Sequence, residues 1–136
     1  MKKGFTIVEL LASIAIMVLI IIISVPAYEG ISKTIKEQNL NSKISMIEQA
    51  TKSYVNKYKK DKVYDNGVKT ICFTMDYLIN KNIVSPDNKT EDGLTDPLNG
   101  GNLEGYIVAS YDITNYEVVV NYKTEASECN ASNTDI

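Results

Sequence analysis

The feature that most constrains this chain is a nearly continuous apolar segment close to its N-terminus. From Phe5 to Val25 the sequence contains a single charged residue, Glu9. As an α-helix this segment would be about 31 Å long, close to the thickness of the hydrocarbon core of a bilayer. The segment therefore predicts a membrane-spanning helix, and the rest of the chain has room for one small folded domain.

Composition argues against catalysis and against binding to nucleic acids. The 136 residues include no histidine and no tryptophan, all 14 basic residues are lysine, and 17 acidic residues give a net charge of −3. The commonest general base and zinc ligand is therefore missing, and so is the guanidinium group that grips phosphate and guanine with two hydrogen bonds. The nine tyrosines could stack on single-stranded nucleic acid, but the net negative charge opposes a polyanion. We expect no enzyme activity, no catalytic residue and no direct nucleic-acid binding.

Beyond the apolar segment the helix is predicted to continue with one apolar face. Pro26 removes a backbone donor, which predicts a kink, although it could simply mark the membrane exit. The helix is expected to end near residues 60–62, before the turn-forming sequence at 65–67. Apolar residues recur at mostly three- or four-residue steps, at Ile31, Ile35, Leu40, Ile44, Ile47, Ala50, Tyr54 and Tyr58.

The C-terminal half predicts a short helix and a β-hairpin. Thr74 is placed to cap a helix that ends near Lys81, and a loop at 85–105, rich in turn-forming residues, is expected to be irregular and exposed. Residues 105–111 and 116–122 are rich in β-branched and aromatic side chains, which predicts two antiparallel strands.

A hairpin alone is marginally stable, so it must pack on the apolar face of the long helix. A third strand is expected either at Lys69–Phe73 or in the region around Cys129. The predicted fold class is α+β, with a long N-terminal helix packed against a small antiparallel sheet.

The N-terminal residues carry a specific resemblance. The run Lys3-Gly4-Phe5-Thr6-Ile7-Val8-Glu9-Leu10-Leu11 resembles the class III leader and N-terminal signature of type IV pilins and of the pseudopilins of secretion and DNA-uptake systems. The resemblance implies the pilin fold, cleavage between Gly4 and Phe5 by a prepilin peptidase, and methylation of the new Phe5 amine. Pro26 also falls where that family often has proline.

Glu9 is anomalous for a plain membrane anchor, because a carboxylate is costly in an apolar helix. The resemblance implies that it pairs with the amine of a subunit during assembly. The alternative is an interfacial carboxylate that reaches back to the lipid headgroups.

The resemblance also implies an organisation and a set of partners. Residues 1–4 would be a cleaved leader, 5–28 a transmembrane and filament-core helix, and 29–136 an amphipathic helix with an extracytoplasmic α+β domain. The chain would span the cytoplasmic membrane once, with its C-terminal domain outside, and then enter a cell-surface filament. Its partners would be copies of itself and other pilins, the prepilin peptidase and methyltransferase, and an inner-membrane assembly platform.

We consider three functions for the chain, of which the first two follow from the resemblance. The first is a structural subunit, major or minor, of a type IV pilus. The second is a pseudopilin of a type II secretion or competence DNA-uptake apparatus. The third is an anchored extracytoplasmic binding module, which predicts an intact leader or cleavage after Ala27, and no requirement for Glu9.

The two cysteines and one loop remain to be interpreted. Cys72 and Cys129 lie too far apart for a local zinc knuckle, so a disulfide outside the cytoplasm is favoured over two free buried thiols. Asp92, Asp96 and Asn99 put oxygen ligands into one loop, and the resemblance extends to major pseudopilins of type II systems, which hold calcium in a comparable loop. The spacing is not that of an EF-hand, so a solvated loop without a cofactor is favoured over a calcium site.

Overall fold

The computed structural model describes residues 4–59, 63, 70–87, 93–125, 127, 129, 134 and 135. Helix α1 spans Ile7–Tyr54 and continues into a π-helical turn, Val55–Lys59. Strand β1 (Ile71–Thr74) leads directly into helix α2 (Met75–Asn80). Strands β2 (Tyr106–Asp112), β3 (Glu117–Lys123) and β4 (Thr134–Asp135) follow.

The chain forms two compact units, Met1–Gln38 and Asn39–Ile136. In the first unit α1 is continuous through Pro26 and Gly30. The predicted long helix is confirmed from Ile7 onward, while its expected end and the turn after it lie outside the described residues.

The second unit contains a four-stranded sheet in the order β3-β2-β1-β4. Strands β2 and β3 pair antiparallel, with Ala109 opposite Val120, so the predicted hairpin is confirmed. Both strands begin one residue later than predicted. Gly105 has a φ of 133° and Tyr116 a φ of 56°, and neither conformation continues a strand.

Both regions considered for a third strand contribute to the sheet. The first is β1, which pairs antiparallel with β2 and places Phe73 opposite Ile107. The second is β4, beyond Cys129, and it pairs parallel to β1. The predicted α+β fold with a small antiparallel sheet is therefore confirmed in β1, β2 and β3, and the two-residue β4 adds a parallel pair at one edge. A parallel pair needs a long connection, and β1 is connected to β4 through α2 and the β2–β3 hairpin.

The apolar face of the second half of α1 forms one side of the core. Ile47 and Val55 are 1% and 0% exposed, and they belong to one cluster with Phe73 and Ile107 of the sheet. Tyr58, predicted on the same face, is 63% exposed. Val55 lies one turn beyond the buried Thr51 and continues the inward face, whereas Tyr58 lies within the π-helical turn, where the spacing of an α-helix no longer applies.

Polar contacts also tie α1 to the outer strand β3. The Glu48 carboxylate accepts a hydrogen bond from the Tyr122 amide at 2.8 Å, and Lys52 pairs with Glu117 at 3.0 Å. Since β3 is an edge strand, the Glu48 contact satisfies a main-chain donor that no neighbouring strand reaches.

The short helix and the long loop differ in how well the sequence predicted them. Thr74 caps α2 by accepting a hydrogen bond from the Tyr77 amide, as predicted. The loop, by contrast, is not exposed throughout. Leu94 and Leu103 are 3% and 6% exposed, and the Leu103 amide donates to the Leu94 carbonyl at 2.6 Å. Burial of these two apolar side chains stabilises the loop against the core, although turn-forming residues surround them.

Candidate functional site

The candidate site is the beginning of α1, where a capping box closes the helix. The Glu9 amide donates to the Thr6 hydroxyl oxygen at 3.3 Å. In return, the Thr6 amide donates to a Glu9 carboxylate oxygen at 3.0 Å, and the Thr6 hydroxyl donates to the same oxygen at 2.9 Å. This reciprocal arrangement satisfies two backbone donors that a helix N-terminus otherwise leaves without partners.

The capping box explains Glu9 in a way that sequence reasoning missed. The signal was present as Thr6-x-x-Glu9 directly before an apolar run, which is the pattern of a capping box. The carboxylate of the uncleaved chain therefore has partners within its own polypeptide. Its predicted pairing with an amine stays a prediction, because the Phe5 nitrogen belongs to a peptide bond in the full chain.

The predicted cleavage position lies in an exposed, non-helical segment. Gly4, Phe5 and Thr6 precede α1, and Phe5 is 79% exposed. A Cβ atom added at Gly4 would meet no other atom within 4 Å, so space in the folded chain does not demand glycine there. The rest of the predicted leader, residues 1–3, lies outside the described residues. The Gly4–Phe5 bond therefore lies in an exposed segment ahead of the helix.

The first half of α1 is an exposed apolar surface. Its long apolar side chains, from Ile7 to Val25, are all close to half exposed or more. By length and composition the helix is a candidate membrane span, and the most apolar part of it has no buried residues. A surface of this kind is unfavourable in water, which favours its burial against other apolar groups.

The hydroxyl groups of this helix are compatible with an apolar environment. Ser13 and Ser24 donate to the carbonyl oxygens of Glu9 and Ile20, at 2.7 Å and 2.6 Å. Each bond reaches back one turn, so neither hydroxyl group is left without a partner. Pro26 is accommodated within the continuous helix, and the kink expected there stays a prediction.

A disulfide joins Cys72 of β1 to Cys129. The Cα atoms are 5.8 Å apart, and the Cys72 side chain is completely buried. The disulfide that the sequence predicts, in preference to two free thiols, is confirmed. It attaches the C-terminal segment, which supplies β4, to a central strand of the sheet.

Two of the residues suggested for calcium, Asp96 and Asn99, make hydrogen bonds within their own loop. A side-chain oxygen of Asp96 accepts a hydrogen bond from the Leu98 amide at 2.8 Å, and the Asn99 side-chain oxygen accepts one from Gly101 at 2.7 Å. Both side chains thus stabilise their own turns. Asp92 lies outside the described residues, and no three acidic or cysteine side chains converge among the residues that are described.

Comparisons with known proteins identify no relative. No family model matches the chain, and neither a curated protein nor a solved structure matches it. Assignment therefore depends on the chain's own residues: a capped apolar helix that could span a membrane, and an α+β unit closed by a disulfide.

Proposed function

We propose that this chain is the precursor of a structural subunit of a type IV pilus, polymerised through its N-terminal helix. The observation that carries the proposal is the combination at the start of α1. An exposed Gly4–Phe5 bond directly precedes a capped helix whose apolar surface is too extensive for water. Removal of a leader peptide would account for the exposed bond. Storage in a membrane, followed by packing in a filament core, would account for the capped helix and its apolar surface.

The proposed mechanism begins in the membrane, where the apolar half of α1 would anchor the chain with its folded unit on the outer side. Cleavage by a prepilin peptidase would replace the Gly4–Phe5 peptide bond with a new ammonium group, which the methyltransferase would then modify. The positive group would lie one residue before Thr6 and within one helical turn of Glu9.

Glu9 would then have two competing partners. In the precursor its carboxylate caps its own helix through Thr6. In an apolar filament core, an ammonium group from a neighbouring subunit would add an opposite charge, and a subunit out of register would leave the carboxylate unpaired at a large energetic cost. Glu9 would therefore select subunits in register, while Thr6 keeps the first turn helical.

The remaining partners follow from the same proposal. They are other pilins and an inner-membrane assembly platform that extracts each subunit from the cytoplasmic membrane into a surface filament. A pseudopilin of a secretion or DNA-uptake apparatus would use the same processing and assembly, in a short filament.

The first experiment is mass spectrometry of the intact protein, with N-terminal sequencing, on material from native membranes and from sheared surface fractions. We expect a chain that begins at methylated Phe5 and that is enriched in the sheared fraction. Processed protein found only in membranes would support the pseudopilin instead. A chain that begins at Met1, or after Ala27, would contradict both and would support an anchored or secreted binding module.

A further inference from the structure

The loop that was suggested for calcium is held in place by a lysine of α1. The Lys43 ammonium donates to a carboxylate oxygen of Asp87 at 2.5 Å and to the Thr95 carbonyl oxygen at 2.7 Å. A carboxylate oxygen and a main-chain carbonyl oxygen are the ligand types that calcium prefers in proteins. Here a side-chain cation already lies between them.

The contacts around Lys43 connect the two ends of the segment between Asp87 and Thr95. The Asp87 oxygen that binds Lys43 also accepts the Thr95 amide at 2.5 Å, and the Asp87 amide donates to the Gly93 carbonyl at 3.3 Å. The Lys43 and Asp87 side chains are 23% and 31% exposed, so both are partly shielded from water. We call the group Lys43, Asp87 and Thr95 the lysine clasp.

The clasp lies next to the part of the loop that enters the core. Leu94 immediately precedes Thr95 and is 3% exposed. Its carbonyl accepts the Leu103 amide, and the Asp96 amide donates to the Gly101 carbonyl at 2.7 Å. The contact of Thr95 with Lys43 therefore also holds in place the segment from Gly101 to Leu103, which is hydrogen-bonded to Leu94 and Asp96.

We propose that the Lys43 ammonium is the built-in cation of this loop, and that it keeps residues 93–103 folded without a bound metal ion. A divalent ion that used the same two oxygens would have to displace the ammonium group and then lie beside its positive charge. The loop's folding is thus coupled to α1 through a residue of the chain rather than to the calcium concentration outside the cell.

The test is hydrogen exchange of residues 94–103 in the full chain in detergent, with the variant Lys43→Met. Methionine keeps an unbranched side chain of nearly the same length and removes the charged end, so Asp87 and the Thr95 carbonyl lose their cation. We expect exchange in this segment to accelerate on the order of tenfold, since hydrogen bonds to charged groups are stronger than neutral ones. Lys36→Met is the matched control, because Lys36 is an exposed lysine of the same helix. Unchanged exchange in Lys43→Met would overturn the proposal.

A second measurement uses the unaltered chain and does not depend on the folding of any variant. We expect its Tm, and the exchange of residues 94–103, to be the same in millimolar calcium and in EDTA. A saturable rise in Tm with calcium, reversed by EDTA, would show that a metal ion and not Lys43 holds the loop. Neither measurement involves filament assembly, so the clasp and the proposed function can fail separately.

Discussion

At the scale of single residues, Glu9 has two roles to separate. The capping box with Thr6 accounts for the carboxylate in the uncleaved chain, whereas the proposed filament assembly would require its charge. Glutamine serves the same position in capping boxes as glutamate, so it retains the hydrogen bonds and lacks the charge. Alanine would remove both the hydrogen bonds and the charge.

For Glu9→Gln we expect normal removal of the leader and a fall in filament yield on the order of tenfold or more, because an ammonium group in the filament core would lack its opposite charge. The measurement is quantitative immunoblotting of sheared filaments, with N-terminal mass spectrometry of the membrane fraction. Thr6→Ser is the control, since serine keeps the capping hydroxyl. If Glu9→Gln assembled as well as the unaltered protein, the charge would have no role in assembly.

At the scale of elements, α1 changes its surroundings along its length. Its first half exposes apolar side chains continuously, whereas its second half buries one face in the core of the second unit. Neighbouring residues on α1 therefore differ sharply in burial. Ile47 is 1% exposed and Met46 is 72% exposed.

This contrast predicts different costs for two adjacent substitutions. Ile47→Ala should lower the free energy of unfolding by about 2–4 kcal/mol, because it removes buried methylene groups and leaves a cavity. Met46→Ala should change it by less than about 0.5 kcal/mol. Urea unfolding of the full chain in detergent, followed by circular dichroism, measures both. Equal effects would mean that Ile47 does not pack in the core.

The lysine clasp predicts how acid affects this unit. Partial burial raises the pKa of Asp87, but hydrogen bonds from Lys43 and Thr95 and the charge of Lys43 outweigh it, so the pKa lies below its usual value. Stabilisation by a carboxylate of this kind is complete above its unfolded-state pKa of about 3.9, and it is lost as the pH falls through the lower folded-state pKa.

We therefore expect the Tm to fall as the pH drops below about 4, and to fall less steeply in Asp87→Asn, whose side chain does not titrate. Differential scanning calorimetry between pH 6 and pH 2 would measure the slopes. Parallel curves for the two proteins would show that the Asp87 charge does not stabilise the fold.

At the scale of the whole molecule, the disulfide connects the C-terminal segment to the centre of the sheet. Cys72 and Cys129 lie 57 positions apart in the chain, and β4 lies just beyond the second cysteine. In the chain-entropy model, a closed loop of this length stabilises the folded state by roughly 4 kcal/mol.

For the double variant Cys72→Ala/Cys129→Ala we expect a loss of stability of that order, roughly 4 kcal/mol. We also expect faster amide exchange in residues 134 and 135, because β4 would lose its attachment. Amides near Ile107, which is completely buried, serve as the internal control. A double variant with the same free energy of unfolding as the unaltered protein would contradict this role of the bridge. So would two thiols in the folded, unaltered protein that alkylate without reduction.

Much of the fold could be predicted because its signals are local. The apolar run and the spacing of Ile44 and Ile47 indicate a helix, and the two β-branched segments indicate a hairpin. Thr74 marks the start of α2 and Thr6-x-x-Glu9 marks the start of α1, although only the first was read correctly from the sequence. Each of these signals lies within a few residues of the feature that it specifies.

Only the tertiary structure decided the features that join distant parts of the chain. Lys43 meets Asp87 across 44 positions, and Glu48 meets the Tyr122 amide across 74. The exposure of Tyr58 and the parallel pairing of β4 with β1 are also features that the sequence does not predict. Local periodicity determines where helices and strands form, but the packing of the core determines which side chains turn inward and which polar groups meet.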